Sequence, residues 1–365
     1  MGAAICRVCR GNFASSLLLR PTGSTRRGAV IAYAVLPPCS GDRLNARVDV
    51  VGDAAPVSAR KGQLLVDLVS LTKPRVNAMV LITMLGGMWL AARSGGPPRP
   101  ALTLTLAVLG TLLVVSGASA LNMYIERDSD RYMARTRNRP LPSGRMAPEI
   151  ALWFGLALSG LSIPLLTFAV NALTGLLAAI ALVSYVLIYT PLKRTTTLSL
   201  LIGAVPGAIP PLLGWTSVTG HMEWPGVLLF GVLFLWQIPH FLAIATFRRE
   251  DYRRAGLKIL PVERGDRVTR HHIVAYLVAL VAVTLMLVPF GVGGSFYLAS
   301  AIALGAVFLG FGAWGLRASA GARWARGLFI TSILYLVLLL GALALNPAPS
   351  GAAHSPDSQA SIGVL

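Results

Sequence analysis

Nine apolar segments, each about as long as a bilayer is thick, recur along this 365-residue chain, near residues 76–92, 101–121, 149–170, 172–190, 198–214, 225–247, 273–291, 296–316 and 328–345. A helix needs roughly 20 apolar residues to cross about 30 Å of hydrocarbon, so most of these segments can span; the shorter ones must stand upright or borrow flanking residues. This pattern predicts an all-α integral membrane protein. With 55% hydrophobic and only 13% charged residues, the chain has the composition of a protein solvated by lipid.

The formal charge of +18 is set between the spans and before them, where orientation and anionic lipid or phosphate ligands account for it, and nucleic acid is set aside. The connections after spans two, four, six and eight carry Arg127 to Arg145, Lys193 with Arg194, Arg248 to Arg270, and Arg317, Arg323 and Arg326, whereas the opposite side has only Arg93 and Arg99. Positive charge marks the inside, which predicts an inner N-terminus and an outer C-terminus.

Residues 1–60, with Arg7, Arg10, Arg20, Arg26 and Arg27 and no acid before Asp42, read as a disordered basic leader. Its arginines give it some transit-peptide character, but it holds no long amphipathic run. The expected location is therefore a bacterial inner membrane with the N-terminus in the cytoplasm, and the mitochondrial inner membrane is the alternative. All three cysteines, Cys6, Cys9 and Cys39, precede the first span, so no disulfide framework holds the spans together. Residues 61–346 form the transmembrane domain, opened by a helical stretch with Leu64, Leu65, Leu68 and Leu71 on one face, and 347–365 are a short flexible tail.

In a chain so poor in carboxylates, the stretch after the second span stands out. If the helix continues past the apolar segment, Asn122, Glu126 and Asp130 fall at i, i+4 and i+8 and line one face, while Asp128 points away. Oxygens so placed can hold a hard divalent cation such as Mg²⁺, which is usually bound by one or two carboxylates plus phosphate oxygens of a substrate. An even number of crossings later, Glu250 and Asp251 return to the same membrane face and are expected to oppose this bank across a shared mouth with cationic rims. Tyr189 and Lys193, one turn apart at the inner end of span four, are expected to reach the same phosphate oxygens. Gln237 and His240, three apart in span six beside Pro239, are expected to touch a polar part of an acceptor, with His240 a candidate iron ligand or a histidine satisfied by the loosened backbone. Span five, with Gly203, Pro206, Gly207, Pro210, Pro211 and Gly214, argues for an internal chamber whose lining supplies backbone partners.

Asn122-x-x-x-Glu126-x-x-x-Asp130, Tyr189-x-x-x-Lys193, Gly207-Ala-Ile-Pro-Pro-Leu-Leu-Gly-Trp215, Trp236-Gln-Ile-Pro-His-Phe241 and Asp251-Tyr-x-x-Ala-Gly-x-x-x-Leu-Pro-Val262 together resemble the protohaem IX farnesyltransferase (haem O synthase) branch of the UbiA-type intramembrane prenyltransferases, over roughly residues 63–345. The resemblance implies nine transmembrane helices around a central cavity. It implies a reaction in which farnesyl diphosphate, haem B and water give haem O and diphosphate. It also implies Mg²⁺ on Asn122, Glu126, Asp130 and Asp251, with Lys193, Arg135 and Arg139 assisting the diphosphate and Tyr189, Gln237 and His240 toward the substrates. Haem A synthase or terminal-oxidase assembly proteins are the implied partners beyond the substrates and the bilayer. Two positions depart from the family pattern: Glu126 stands where aspartate is usual, and Phe247 stands where a second aspartate motif normally begins. The alternatives are a prenyltransferase for a quinone or chlorophyll precursor and, from another class, a secondary transporter. A transporter predicts polar residues at mid-membrane depth facing both sides, whereas here charge gathers on one face.

Overall fold

The structure is a computed structural model that describes residues 61–317 and 320–345. The expected leader over residues 1–60 and tail over 347–365 lie outside the described residues, as do the cysteines.

A short helix, α1 (Lys61–Leu71), precedes nine helices among the described residues that are long and apolar enough to cross a membrane: α2 (Pro74–Arg93), α3 (Ala101–Asp130), α4 (Pro148–Ala169), α5 (Ala172–Leu192), α6 (Ser199–Thr219), α7 (Trp224–Phe247), α8 (Gly265–Met286), α9 (Ser295–Trp314) and α10 (Ala322–Leu345). The chain is a multi-pass membrane protein. Local chemistry sets the ends of these helices. Proline in the first turn starts α2, α4 and α7, where its missing N–H would have no helical partner anyway. Asn171 caps α5 by accepting the Thr174 N–H at 2.8 Å, and Gly220 ends α6 with φ 79°.

Two boundaries differ from the apolar pattern. Helix α3 does not stop where its apolar stretch ends but runs on to Asp130, and α8 begins at Gly265, eight residues before its apolar stretch. A helix can leave the hydrocarbon without breaking, since its backbone bonds are internal, so hydropathy finds the lipid-facing part and not the whole element. In α1, Leu64 and Leu68 pack with Leu71 against Met146 and Leu141, whereas Leu65 is 65% exposed and so leaves the expected face.

Lipid tails are as apolar as leucine, so helices in a bilayer associate by close packing rather than by hydrophobic exclusion. Small residues supply that packing. A Cβ added at Gly87 would lie 2.1 Å from the Pro211 carbonyl oxygen, and one at Gly214 would lie 2.0 Å from the Met84 carbonyl oxygen, so α2 and α6 touch backbone to backbone. Between α3 and α4, a Cβ added at Gly117 would lie 2.9 Å from the Gly155 carbonyl oxygen, and one at Gly155 would lie 2.8 Å from the Leu121 side chain. Helix α6 is the most enclosed of the nine, and α7 packs on α6, α8 and α10.

The cationic connections meet at one end of the bundle. The Lys258 N–H donates to the Lys193 carbonyl at 3.0 Å, Arg145 pairs with Asp67 of α1 at 3.3 Å, and Arg270 donates to the Arg317 carbonyl at 2.9 Å. Arg99 is at the other end, bonded to the Val218 carbonyl at 2.7 Å.

Candidate active site

A cavity of about 520 Å³ lies between α2, α3, α5, α6 and α7. Toward the middle of the bundle its walls are apolar, including Val80, Val114, Ala118, Leu182, Pro210 and Leu242. Its mouth, under the cationic connections, is polar. The extension of α3 to Asp130 puts Asn122, Glu126 and Asp130 on the lining, with Asn122 and Asp130 only 2% and 1% exposed. Asp128 faces outward and is exposed.

Each of these three side chains is held by one cation. Lys73 Nζ donates to Asn122 Oδ1 at 3.2 Å, Lys193 Nζ to Glu126 Oε1 at 2.7 Å and Arg139 Nη1 to Asp130 Oδ2 at 2.7 Å. The Asn122 amide also donates to Thr190 Oγ1 at 3.0 Å. Arg135 lines the same mouth. The donors are hard oxygens, and they fit a divalent cation of the Mg²⁺ kind that shares its shell with ligand phosphates. Among the described residues no three His, Cys, Asp or Glu side chains converge to hold a metal alone.

Tyr189 and Lys193 reach the cavity through an irregularity in α5. Residues Ser184–Tyr189 form a π-helical turn in which the Thr190 N–H reaches back five residues to the Tyr185 carbonyl. Pro191 follows, and its ring would crowd the carbonyl four residues earlier in a regular helix; the wider turn relieves this. The turn also brings Tyr185, Tyr189 and Lys193 onto the lining together, with the Lys193 ammonium 4.2 Å from the Tyr189 ring centroid. Burial disfavours charge on Lys193, but Tyr189 and Glu126 outweigh it and hold the ammonium above the usual lysine range.

Lys73 is a site residue that the spacing arguments overlooked. It is the only non-glycine among the described residues with positive φ, at 52°, a conformation costing about 1–2 kcal/mol that turns the chain from α1 into α2 and aims the amine into the cavity. Burial first, then the neighbouring Arg139 and Lys193, push its pKa down to about 7. The one signal in the sequence was a lysine directly before the proline that opens a span.

Two expectations need correction. The acids expected as the second bank do not line the cavity. Glu250 is clasped by Arg253 and Arg254 at 2.9 and 3.1 Å, and Asp251 is 3.5 Å from Arg248. Pairs three and four apart, within the short helix Arg249–Arg254 for Glu250 and back to the preceding Arg248 for Asp251, hold both carboxylates off the lining, and the turn presents Tyr252 to the cavity instead. In α7, Gln237 lines the cavity, donating to the Leu233 carbonyl at 3.1 Å, but His240 does not share its face. His240 turns to α10, where its Nδ1 lies 2.7 Å from Ser332 Oγ.

The cavity also opens sideways. Val76 and Met79 of α2 and Phe241 of α7 line it while being 49%, 67% and 36% exposed, so an apolar window faces the bilayer between these helices.

Residues 80–345 match the UbiA prenyltransferase family. The chain is 62% identical over 279 residues to a protoheme IX farnesyltransferase of Sorangium cellulosum, covering 73% of this chain and 99% of that protein. It is 53% identical over 283 residues to the protoheme IX farnesyltransferase of Myxococcus xanthus, covering 78% and 95%. In fold it is similar to a digeranylgeranylglyceryl phosphate synthase, with TM-score 0.67, 19% identity and coverage of 79% of this chain and 98% of that one. It is also similar to a UbiA homolog from Archaeoglobus fulgidus bound to DMAPP and Mg²⁺, with TM-score 0.55, 15% identity and coverage of 76% and 99%.

Proposed function

The chain belongs to the UbiA prenyltransferase family, and from that premise we propose that it transfers the farnesyl group of farnesyl diphosphate to a vinyl group of haem B, with addition of water, to give haem O and diphosphate. The observation that carries this reading is a mouth of three oxygen-bearing side chains, each matched to a cation, set directly over an apolar chamber with a window to lipid. A prenyl diphosphate has the same two halves.

In this reading Asn122, Glu126 and Asp130 would hold Mg²⁺, with diphosphate oxygens completing its shell. Bound there, the metal neutralises charge on the departing diphosphate. Lys73, Lys193, Arg135 and Arg139 face the same volume and donate hydrogen bonds to the diphosphate oxygens, so the electron pair of the breaking C1–O bond leaves onto an oxygen already compensated. The apolar walls keep water from the allylic cation that remains. The vinyl π electrons then form the new carbon–carbon bond to C1. One water adds to the resulting carbocation beside the porphyrin and loses a proton, which leaves the hydroxyl of haem O. No side chain serves as a nucleophile.

The same reading places the cationic end of the bundle in the cytoplasm of a bacterial inner membrane. Purified protein incubated with haem B, farnesyl diphosphate and Mg²⁺, followed by chromatography of the extracted haem, tests the proposal. A later-eluting farnesylated haem is expected, and it is lost with a chelator or in Asp130→Ala. Intact protein that makes no such product overturns the assignment.

A further inference from the structure

The reaction above consumes one water inside an apolar chamber, and Gln237 of α7 is built to receive it. This residue is 6% exposed and lines the cavity. Its Nε2 donates to the Leu233 carbonyl at 3.1 Å and to the Ala204 carbonyl at 3.4 Å, and carbonyls only accept, so both amide hydrogens are spent on backbone. The amide has no alternative orientation. Oε1 therefore faces away from those carbonyls as a pure acceptor, has no partner among the described residues, and is not one of their enclosed unpartnered atoms. A bare amide oxygen on an apolar wall costs free energy unless a donor meets it.

Its depth suits the chemistry. Gly203 and Gly207 are one turn apart on α6, about 6 Å by rise, and a Cβ at the first would strike the Tyr189 ring while one at the second would strike Gln237 Oε1. The amide oxygen thus lies about a turn deeper than the ring on which the Lys193 ammonium sits. Two more acceptors belong to the same wall. In a helix the N–H of one residue bonds the carbonyl four residues earlier, and Pro210 and Pro211 have no N–H, so the carbonyls of Pro206 and Gly207 lose their donors. Pro206, Gly207 and Pro210 all line the cavity. Neither organic substrate answers this set of acceptors: the farnesyl chain has no donor, the pyrrole nitrogens of haem B are bound to iron, and its propionates ionise to acceptors. Water, the remaining reactant, brings two hydrogens and keeps a free lone pair after giving them.

We propose that Gln237 Oε1, with the freed carbonyls of α6 beside it, holds the water that adds to the carbocation and so makes the product a hydrated one. The inference rests on the haem-farnesylation reading and deepens it. A lone pair of the held water forms the C–O bond to the carbon beside the porphyrin, and the resulting oxonium gives its proton to the diphosphate freed in the same turnover. That carbon is two bonds from the C1 that the diphosphate has just left, so the base is close. Without a held water, the same cation loses a proton from its neighbouring methylene to that base and closes to an alkene, lighter than haem O by one water. Tethering also protects the earlier step, because a loose water would reach the allylic cation first and give farnesol. Gln237 is in this sense a positioning residue, and it exchanges no proton.

The test supplies the full chain in lipid nanodiscs with haem B, farnesyl diphosphate and Mg²⁺ in heavy-oxygen water, and weighs the extracted haems by mass spectrometry. The wild type is expected to yield hydrated product carrying one heavy oxygen. In Gln237→Met, which keeps the volume but removes the acceptor, the ratio of hydrated to dehydrated haem should fall about tenfold or more. Gly207→Ala drives a methyl group into the place of the oxygen while leaving the amide intact, and it should lower the ratio in the same direction. The ratio is read on whatever product forms, so a slow variant still reports. An unchanged ratio in either variant that makes product, or a wild-type hydroxyl that does not come from solvent, overturns the water site. Loss of every product from both variants makes the amide part of the binding or folding framework and overturns it as well. A wild type that makes no farnesylated haem takes the farnesylation reading down with it, whereas farnesylated haem with an indifferent ratio sinks the water site alone.

Discussion

Replacing Gly203 with alanine puts a methyl group where the ring of Tyr189 lies. The added Cβ would stand 2.4 Å from Cε2, 2.6 Å from Cδ2 and 2.8 Å from Cζ. Carbon atoms in comfortable contact are about 3.5 Å apart or more, so the ring must retreat by about 1 Å. It cannot retreat alone. The Lys193 ammonium sits 4.2 Å from the ring centroid and donates to Glu126 at 2.7 Å, and the Tyr185 ring is 5.5 Å away on the same turn. A shift of about 1 Å in a group that positions a reacting ligand can cost about 10²-fold in rate, or about 2.7 kcal/mol of barrier. Stability should move less. Overpacking costs about 1–3 kcal/mol, and alanine returns about 1 kcal/mol over glycine within a helix. The expected outcome is a rate of haem O formation about a hundredfold down with unfolding in detergent shifted by at most about 2 kcal/mol. Gly160→Ala is the control, because nothing lies within 4 Å of its Cβ position. A Gly203→Ala protein that works at the wild-type rate, or an equal loss in Gly160→Ala, refutes the reasoning.

Asp130→Asn keeps the shape of a residue that is 1% exposed but removes its charge, and it should lower kcat/KM about 10²–10³-fold and raise the Mg²⁺ concentration needed for half-maximal rate in a metal titration. Lys73→Met removes a charge-assisted hydrogen bond worth about 1.5–3 kcal/mol, so KM for farnesyl diphosphate should rise about tenfold or more in steady-state kinetics while the helix content by circular dichroism stays constant. Gly214→Ala meets backbone at 2.0 Å rather than a mobile side chain, so α2 and α6 must separate. A destabilisation of about 1–3 kcal/mol is expected, read as a lower thermal unfolding midpoint.

Spans, charge and spacing could be read along the chain because each depends on residues close in sequence. Burying about 20 apolar residues in hydrocarbon is a property of the segment itself, so all nine membrane-spanning helices among the described residues were legible. Asn122, Glu126 and Asp130 share a face by helical period alone, once α3 is known to continue past its apolar end. Facing is different. Whether a side chain at one position turns toward a chamber, another helix or lipid depends on what packs against the neighbouring 100° of helix surface, and that comes from elsewhere in the chain. Gln237 and His240 are three residues apart, yet one faces the cavity and the other Ser332 of α10. Tyr252 rather than Asp251 enters the cavity because Arg248, just before the short helix, and Arg253, on it, hold the acids outside. Lys73 joins the site through a single left-handed backbone angle that no periodicity encodes. Membrane insertion and the carboxylate row follow from local pattern, whereas the assembled mouth needs contacts between residues some 50 to 70 positions apart, such as Lys73 with Asn122 and Glu126 with Lys193, and only packing creates those.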